Sequence, residues 1–251
     1  MMQAFIYTLA FLTRLPIPGL LLQEHENQAT VATALLWYPL VGALIAAILI
    51  LVCLSLPASC TPLLAAAIVV SLQCWLTGAL HLDGLADSID AWMGGHADPD
   101  KTLAIMKDPA AGPMAVVGLC CILLLKVAAL AALWPDATAA LFAALVLSRA
   151  SVIPLFLSSP YVRAGGVGEA MSAKLNRSLA IAVCIATLLA LSWLPSSLFL
   201  GSLLVGALVF LYWRHLWQGR IGGFTGDVAG GMIELTETSV LLVFALGGNY
   251  A

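Results

Sequence analysis

Three aspartates, Asp83, Asp87 and Asp90, lie within the run His81-Leu82-Asp83-Gly84-Leu85-Ala86-Asp87-Ser88-Ile89-Asp90. On a helix the i, i+4, i+7 spacing gathers their carboxylates within about 60° of one another on one face. Crowded carboxylates repel unless a cation joins them. Hard oxygen ligands suit Mg²⁺ or Mn²⁺, and Mg²⁺ is commonly held by one or two carboxylates plus substrate phosphates. A solvated acidic surface is the alternative, weakened by Leu82, Leu85, Ala86 and Ile89, which keep the rest of the helix apolar. His81 either orients a carboxylate or is simply solvated, and the sequence leaves both open.

A second constellation runs from Arg220 through Gly222, Gly223, Thr225 and Gly226 to Asp227, followed by Gly230, Gly231, Glu234 and Glu237. A glycine-rich turn feeding a helix N-terminus presents backbone N–H groups and the positive end of the helix dipole, an arrangement that receives phosphate. Arg220 would add a charge-assisted contact. Asp227 and Glu234 share a face and are the candidates for a catalytic proton acceptor. Acids inside a membrane are costly and point to function. The structural alternative is that Asp227 or Thr225 caps the helix while the glycines permit close packing. Between the two constellations, Asp108-Pro109 has the form of an N-cap with proline at the first helical position. Lys107 beside it is free to act on a phosphate. Arg149, near the middle of an apolar stretch, must face other helices and pair with an acid, whereas Lys126 can snorkel.

The elements that position these residues are apolar. Of 251 residues 62% are hydrophobic and only 9% charged, with 10 basic and 13 acidic side chains. Soluble domains carry roughly 25% charge. Apolar stretches near 33–56, 62–80, 111–133, 138–157, 178–194, 197–213 and 228–247 approach or exceed the ~20 residues that cross a bilayer. The expected fold is therefore all-α, a single integral membrane domain over 1–251 with about six or seven spans. The segment 4–22, interrupted by Arg14, Pro16 and Pro18, reads as an interfacial or re-entrant helix. The two stretches flanking Pro195 and Ser196 read as a tight hairpin. Continuous apolar runs exclude a β-barrel, and the absence of a basic block excludes nucleic acid as a partner. No cleavable signal peptide is evident. Five of the six cysteines lie inside apolar runs and read as small core residues. Loops 81–110, 158–177 and 214–227 contain Lys and Arg while 57–61, 134–137 and 195–196 contain none, which assigns the charged loops to the cytoplasm.

Four motifs then identify a resemblance: FLTRLPIP at 11–18, HLDGLADSID at 81–90, IMKD at 105–108 and GGFTGDVAGGMIELTE at 222–237. In this order, with long apolar spacers, they resemble the cobalamin synthase family from near residue 5 to near residue 246. The resemblance implies transfer of adenosylcobinamide-GDP onto α-ribazole or its 5′-phosphate, with release of GMP, in the last steps of cobalamin biosynthesis. It also implies Mg²⁺ and a multi-pass protein of the bacterial cytoplasmic membrane with its site on the cytoplasmic side. Other cobalamin-assembly enzymes become candidates to dock on the charged loops. On this reading Asp83, Asp87 and Asp90 hold the metal. Arg14, Arg220, Gly222, Gly223, Thr225 and Gly226 hold phosphate oxygens, with Lys107, and Asp227 or Glu234 takes the hydroxyl proton. Two rivals are a phosphoalcohol transferase of phospholipid synthesis and a cation-coupled transporter. The first expects D-G-x-x-A-R, and here alanine comes one residue early with no arginine; the second expects acids near the bilayer midplane.

Overall fold

A computed structural model describes residues 1–18 and 28–247. Its framework is helical, with one isolated bridge between Tyr161 and Phe224 and no strand among the described residues. After α1 (Met2–Leu12) the chain is extended through Pro18; residues 19–22 of the expected N-terminal helix lie outside the described residues. The first long apolar helix is built from α2 (Gln28–Ala34), a 3₁₀ turn (Leu35–Trp37) and α3 (Tyr38–Ser55). Next come α4 (Pro62–Thr77), α5 (Leu80–Gly94), α6 (Pro99–Ile105) and α7 (Pro113–Leu133). A second group is α8 (Thr138–Ala150), α9 (Val152–Ser158), α10 (Val167–Ala173) and α11 (Arg177–Leu191), followed by α12 (Ser196–Ile221) and α13 (Gly226–Gly247).

Local chemistry sets the helix starts. Thr61 accepts from the Leu64 N–H ahead of Pro62, Asp98 accepts from Lys101 ahead of Pro99, and Asn176 accepts from Leu179, each an N-cap that satisfies an otherwise orphaned donor. The start of α7 differs from the expectation. Its N-cap is Gly112, and Asp108 instead turns back to accept from the Ala110 N–H at 3.0 Å.

Among the described residues, five helices are long and apolar enough to cross a membrane, and seven segments qualify if the bent pairs α4–α5 and α10–α11 each count as one. The chain is thus a polytopic helical membrane protein. The helices α3, α8 and α13 form its interior, with Ile45, Leu49, Leu145, Val240 and Leu241 all but fully buried. Small residues allow these helices to approach: a Cβ on Gly42 of α3 would lie 2.4 Å from the Leu145 carbonyl oxygen of α8. Without a hydrophobic force between helices in lipid, such close packing replaces it. The outer helices present apolar side chains outward, among them Leu200, Leu204, Leu208 and Leu211 along α12. Cys120 and Cys121 are on that outer surface of α7, not in the core. Nor do α11 and α12 form a packed hairpin: α12 lies on α13 and α11 on α8 and α9, with an apolar groove between them.

Candidate active site

Two left-handed residues at the end of α4, Gly78 (φ 60°) and Ala79 (φ 55°), turn the chain by 88° into α5. Glycine takes this conformation without cost, alanine only under strain, and the N-terminal segment braces it. Arg14 donates its backbone N–H to Leu76 at 2.7 Å and lays its side chain over Gly78, where a Cβ would lie 2.3 Å from Nε. After the bend, α5 crosses α13 almost backbone to backbone. A Cβ on Gly84 would lie 2.8 Å from the Asp227 carbonyl oxygen, and one on Gly230 3.3 Å from His81 Cα. The glycine beside Asp83 therefore brings two acidic clusters, separated by over 140 positions in sequence, to one place.

The segment after α9 completes the arrangement. Val162 donates to the Phe224 carbonyl and Phe224 to the Pro160 carbonyl, both at 3.0 Å, tying the 160–162 segment to the glycine-rich turn. A Cβ on Gly223 would strike the Pro160 oxygen at 2.2 Å, so this glycine serves the close approach. The tie carries Arg163 onto Asp227, with Nη2 2.7 Å from Oδ2 and 3.2 Å from the Met106 carbonyl. Thr225 caps α13 by accepting from the Val228 N–H at 3.3 Å. The carboxylate of Asp227 is thus free of capping duty and receives Arg163 Nη2 and the Thr225 hydroxyl.

These residues border a cavity of about 240 Å³. Asp83, Asp227, Arg163 and Gly226 are on its polar side. Its remaining wall is largely apolar, from Leu12 of α1, Tyr38 of α3, Val152 and Phe156 of α9, Met171 of α10 and Ile233 of α13. His81 lines it too, 4% exposed, with neither ring nitrogen hydrogen-bonded among the described residues. Outside the apolar spans, burial, then Asp227 and Asp83, push the Asp87 carboxyl up to about 7, with Arg163 pulling the other way. Burial also pushes the Tyr161 phenol above its ordinary range, against the pull of Arg163 and of the Gly226 and Gly168 amides.

The structure gathers some of the expected site residues and separates others. Asp83, Asp87, Asp227, Thr225 and Gly226 come together. Gly222 is the left-handed C-cap of α12 (φ 73°), and Gly223 packs on Pro160. Asp90 lies on α5 as expected, but its two oxygens accept from the Gly112 and Ala115 N–H groups and so cap α7. Arg220 stacks 3.9 Å over the Trp92 ring and donates to the Trp92 carbonyl, away from the cavity lining. Lys107 and Arg14 have exposed side chains that do not border the cavity. Glu234 is buried against Lys126 at 2.5 Å, and Lys126 does not snorkel, because it also reaches Glu237 at 2.6 Å. Arg149 does pair with an acid, Glu237, inside the bundle. The sequence reading missed Arg163 and Tyr161. Their signal was the polar run Pro160-Tyr161-Val162-Arg163 between apolar elements, read only as a charged loop.

Among the described residues no three Asp, Glu, His or Cys side chains are gathered closely enough to hold a metal ion by themselves. The donor set nonetheless fits Mg²⁺, which needs only one or two carboxylates when phosphate oxygens complete its shell. Burial is the main cause that lifts Asp87, with repulsion from Asp227 and Asp83 after it, and it is this repulsion that such a cation would relieve.

Comparison with known proteins gives the same picture from sequence. Relatives in Pseudomonas aeruginosa and Stutzerimonas stutzeri, each called adenosylcobinamide-GDP ribazoletransferase, are 45% identical, the match covering 98% of this chain and 98% of theirs. One in Pseudomonas paraeruginosa with the same name is 46% identical over the same shares. No solved structure matches the chain. The model of the Cobalamin-5-phosphate synthase family matches residues 4–245, and the chain belongs to that family.

Proposed function

We propose that the site formed by Asp83, Asp87, Asp227 and Arg163 joins adenosylcobinamide-GDP to α-ribazole or its 5′-phosphate and releases GMP. The chain is a transferase of cobalamin assembly, by family and by the names of relatives covering nearly all of it. The observation that supports the site is the meeting of α5 and α13 at Gly84, which sets three carboxylates opposite one guanidinium at the polar side of an apolar cavity.

Phosphoryl transfer asks a protein mainly for positioning and charge neutralisation. A ribazole hydroxyl oxygen forms a bond to the phosphorus nearer the cobinamide, the anhydride P–O bond breaks, and GMP leaves with the bonding electrons. Arg163 is suited to grip the phosphate oxygens with its planar fork. As a phosphate engages that fork, Asp227 is released to accept the hydroxyl proton. Mg²⁺ on Asp83 and Asp87, beside Asp227, would neutralise charge on the pyrophosphate. Gly226, where a Cβ would meet only the Tyr161 hydroxyl at 3.9 Å, offers backbone to the same phosphates. The Lys/Arg asymmetry of the loops supports a site on the cytoplasmic face of the inner membrane.

The test is direct. Purified protein with adenosylcobinamide-GDP, α-ribazole and Mg²⁺ should yield equimolar GMP and a complete corrinoid; no GMP under these conditions would dismiss the reading.

A further inference from the structure

The cavity behind the carboxylates has a chemical character that the phosphate chemistry does not require. Leu12, Val152, Phe156, Met171 and Ile233 give it an apolar wall. Of the polar side chains among its described lining residues, two are buried, Tyr38 and His81. Tyr38 finds no better partner than the Met171 sulfur, at 3.9 Å. His81, 4% exposed, has both ring nitrogens unbonded. An unsatisfied buried imidazole is costly, and its presence on a cavity wall is explained by a ligand that satisfies it.

Both large substrates of the proposed reaction could in principle place a ring there. At about 240 Å³ the space is at the small end of ligand pockets, too small for a corrinoid. A guanine would bring an exocyclic amine, a carbonyl and several ring nitrogens, and a wall with so few polar groups would leave most of them unpaired. A dimethylbenzimidazole is an apolar fused aromatic with a single free ring nitrogen, an acceptor. Neutral histidine in either tautomer has one N–H to give and one lone pair to receive. It can donate to that ring nitrogen and accept from a ribose hydroxyl. Phe156, held edge-on by Phe224 at 4.8 Å, adds an aromatic wall for the base.

We infer that this cavity is a preformed seat for the base of the ribazole nucleoside, with His81 as the residue that recognises it, so that the activated corrinoid meets its acceptor only at the Asp83, Asp227 and Arg163 side. The inference rests on the proposed function and adds which substrate end occupies which part of the site.

The test is equilibrium binding of α-ribazole 5′-phosphate, without corrinoid, to the full chain in lipid nanodiscs. The unmodified protein should bind it, and His81→Leu should weaken binding roughly 5- to 150-fold, the range for leaving one polar group unpaired, while adenosylcobinamide-GDP affinity stays within about twofold. Met171→Phe provides a second reading that a folding defect cannot mimic. By filling the cavity it should penalise the dimethylbenzimidazole nucleoside more than the unsubstituted benzimidazole nucleoside. The inference is overturned if the unmodified protein does not bind the nucleoside, or if neither variant alters nucleoside binding. It is equally overturned if His81→Leu loses adenosylcobinamide-GDP instead. Should His81→Leu lose both ligands together, Met171→Phe decides. These failures differ from failure of the proposed function, which would show as no GMP from the unmodified protein given both substrates.

Discussion

At the scale of single residues, one helix face carries three aspartates with two different duties. Asp83 is exposed at the cavity and Asp87 is next to Asp227, but both oxygens of Asp90 are committed to the N-terminus of α7. Asp83→Asn and Asp87→Asn should each reduce GMP release at least about 100-fold, because an amide cannot replace a carboxylate opposite a pyrophosphate and its cation. Asp90→Asn keeps one acceptor for the α7 amides, so it should retain most turnover and lose ~1 kcal/mol of stability, read as a lower melting temperature in detergent. Equal turnover losses in all three variants would return Asp90 to the metal. Asp227→Asn separates two further readings. Thr225 already caps α13, so the substitution should leave folding intact while turnover falls about 10²–10⁴-fold, the usual range for losing a proton acceptor. Near-normal GMP release at saturating substrate and Mg²⁺ would strike Asp227 from the reaction.

At the scale of elements, most spanning segments are legible to within a few residues, because apolar length is a local property, but α12 runs on to Ile221, eight residues past the expected end at 213, since a helix continues through polar residues once it leaves the apolar layer. The cap at Thr225 before the last helix was legible because it needs only neighbours in the chain, whereas Asp108 before Pro109 has the form of a cap without starting a helix, because α7 begins four residues later at Gly112 and Pro113. Crossings were not legible. That Gly84 touches the Asp227 backbone, that Gly223 touches Pro160, or that Arg163 rather than Arg220 reaches the acids depends on which helix lies beside which, and one sequence does not contain that. The 88° bend at Gly78 and Ala79 was likewise hidden, since alanine gives no sign that it will adopt a left-handed conformation. The crossing yields a sharp expectation. Gly84→Ala sets a Cβ under 3 Å from two backbone atoms of Asp227, and backbone cannot rotate away. It should cost ~1–3 kcal/mol as overpacking and about 100-fold in turnover, since a displacement near 1 Å at reacting groups has that effect. Gly219→Ala on α12, with nothing within 4 Å of its Cβ, is the control and should be neutral or stabilising by ~0.5–1 kcal/mol. Comparable losses in both variants would detach Gly84 from the site.

At the scale of the whole molecule, the three Lys/Arg-containing loops converge on one end of the bundle: Arg163 touches Met106 and Asp227, and Arg220 touches Trp92. In a background without the native cysteines, Asp98→Cys and Lys174→Cys should therefore label from one side of sealed membranes, the cytoplasmic, and Ser59→Cys only from the other; labelling of all three from the same side would refute the topology. The opposite problem, charge inside the apolar bundle, is met by neutralisation. Glu234 and Glu237 of α13 face Lys126 of α7 and Arg149 of α8, two acids against two bases, and Gln73 of α4 donates to Glu237 at 2.5 Å. These acids are explained by pairing across four helices, without an ion path through the membrane. The pairing ranks their substitutions. Glu237→Gln removes the carboxylate bonded by Arg149 Nη1 and leaves that guanidinium only the Ser148 hydroxyl, its Nε and Nη2 having no hydrogen-bond partner among the described residues, and breaking a buried pair in this way costs ~3–5 kcal/mol. Glu234→Gln leaves Lys126 its bond to Glu237 and should cost clearly less. Because Glu234 does not border the cavity, the folded fraction of Glu234→Gln should release GMP at close to the unmodified rate per molecule. Thermal melting in detergent reads the first comparison and GMP release normalised to folded protein the second. A Glu234→Gln protein that melts normally but releases no GMP would instead put Glu234 among the groups that move the proton.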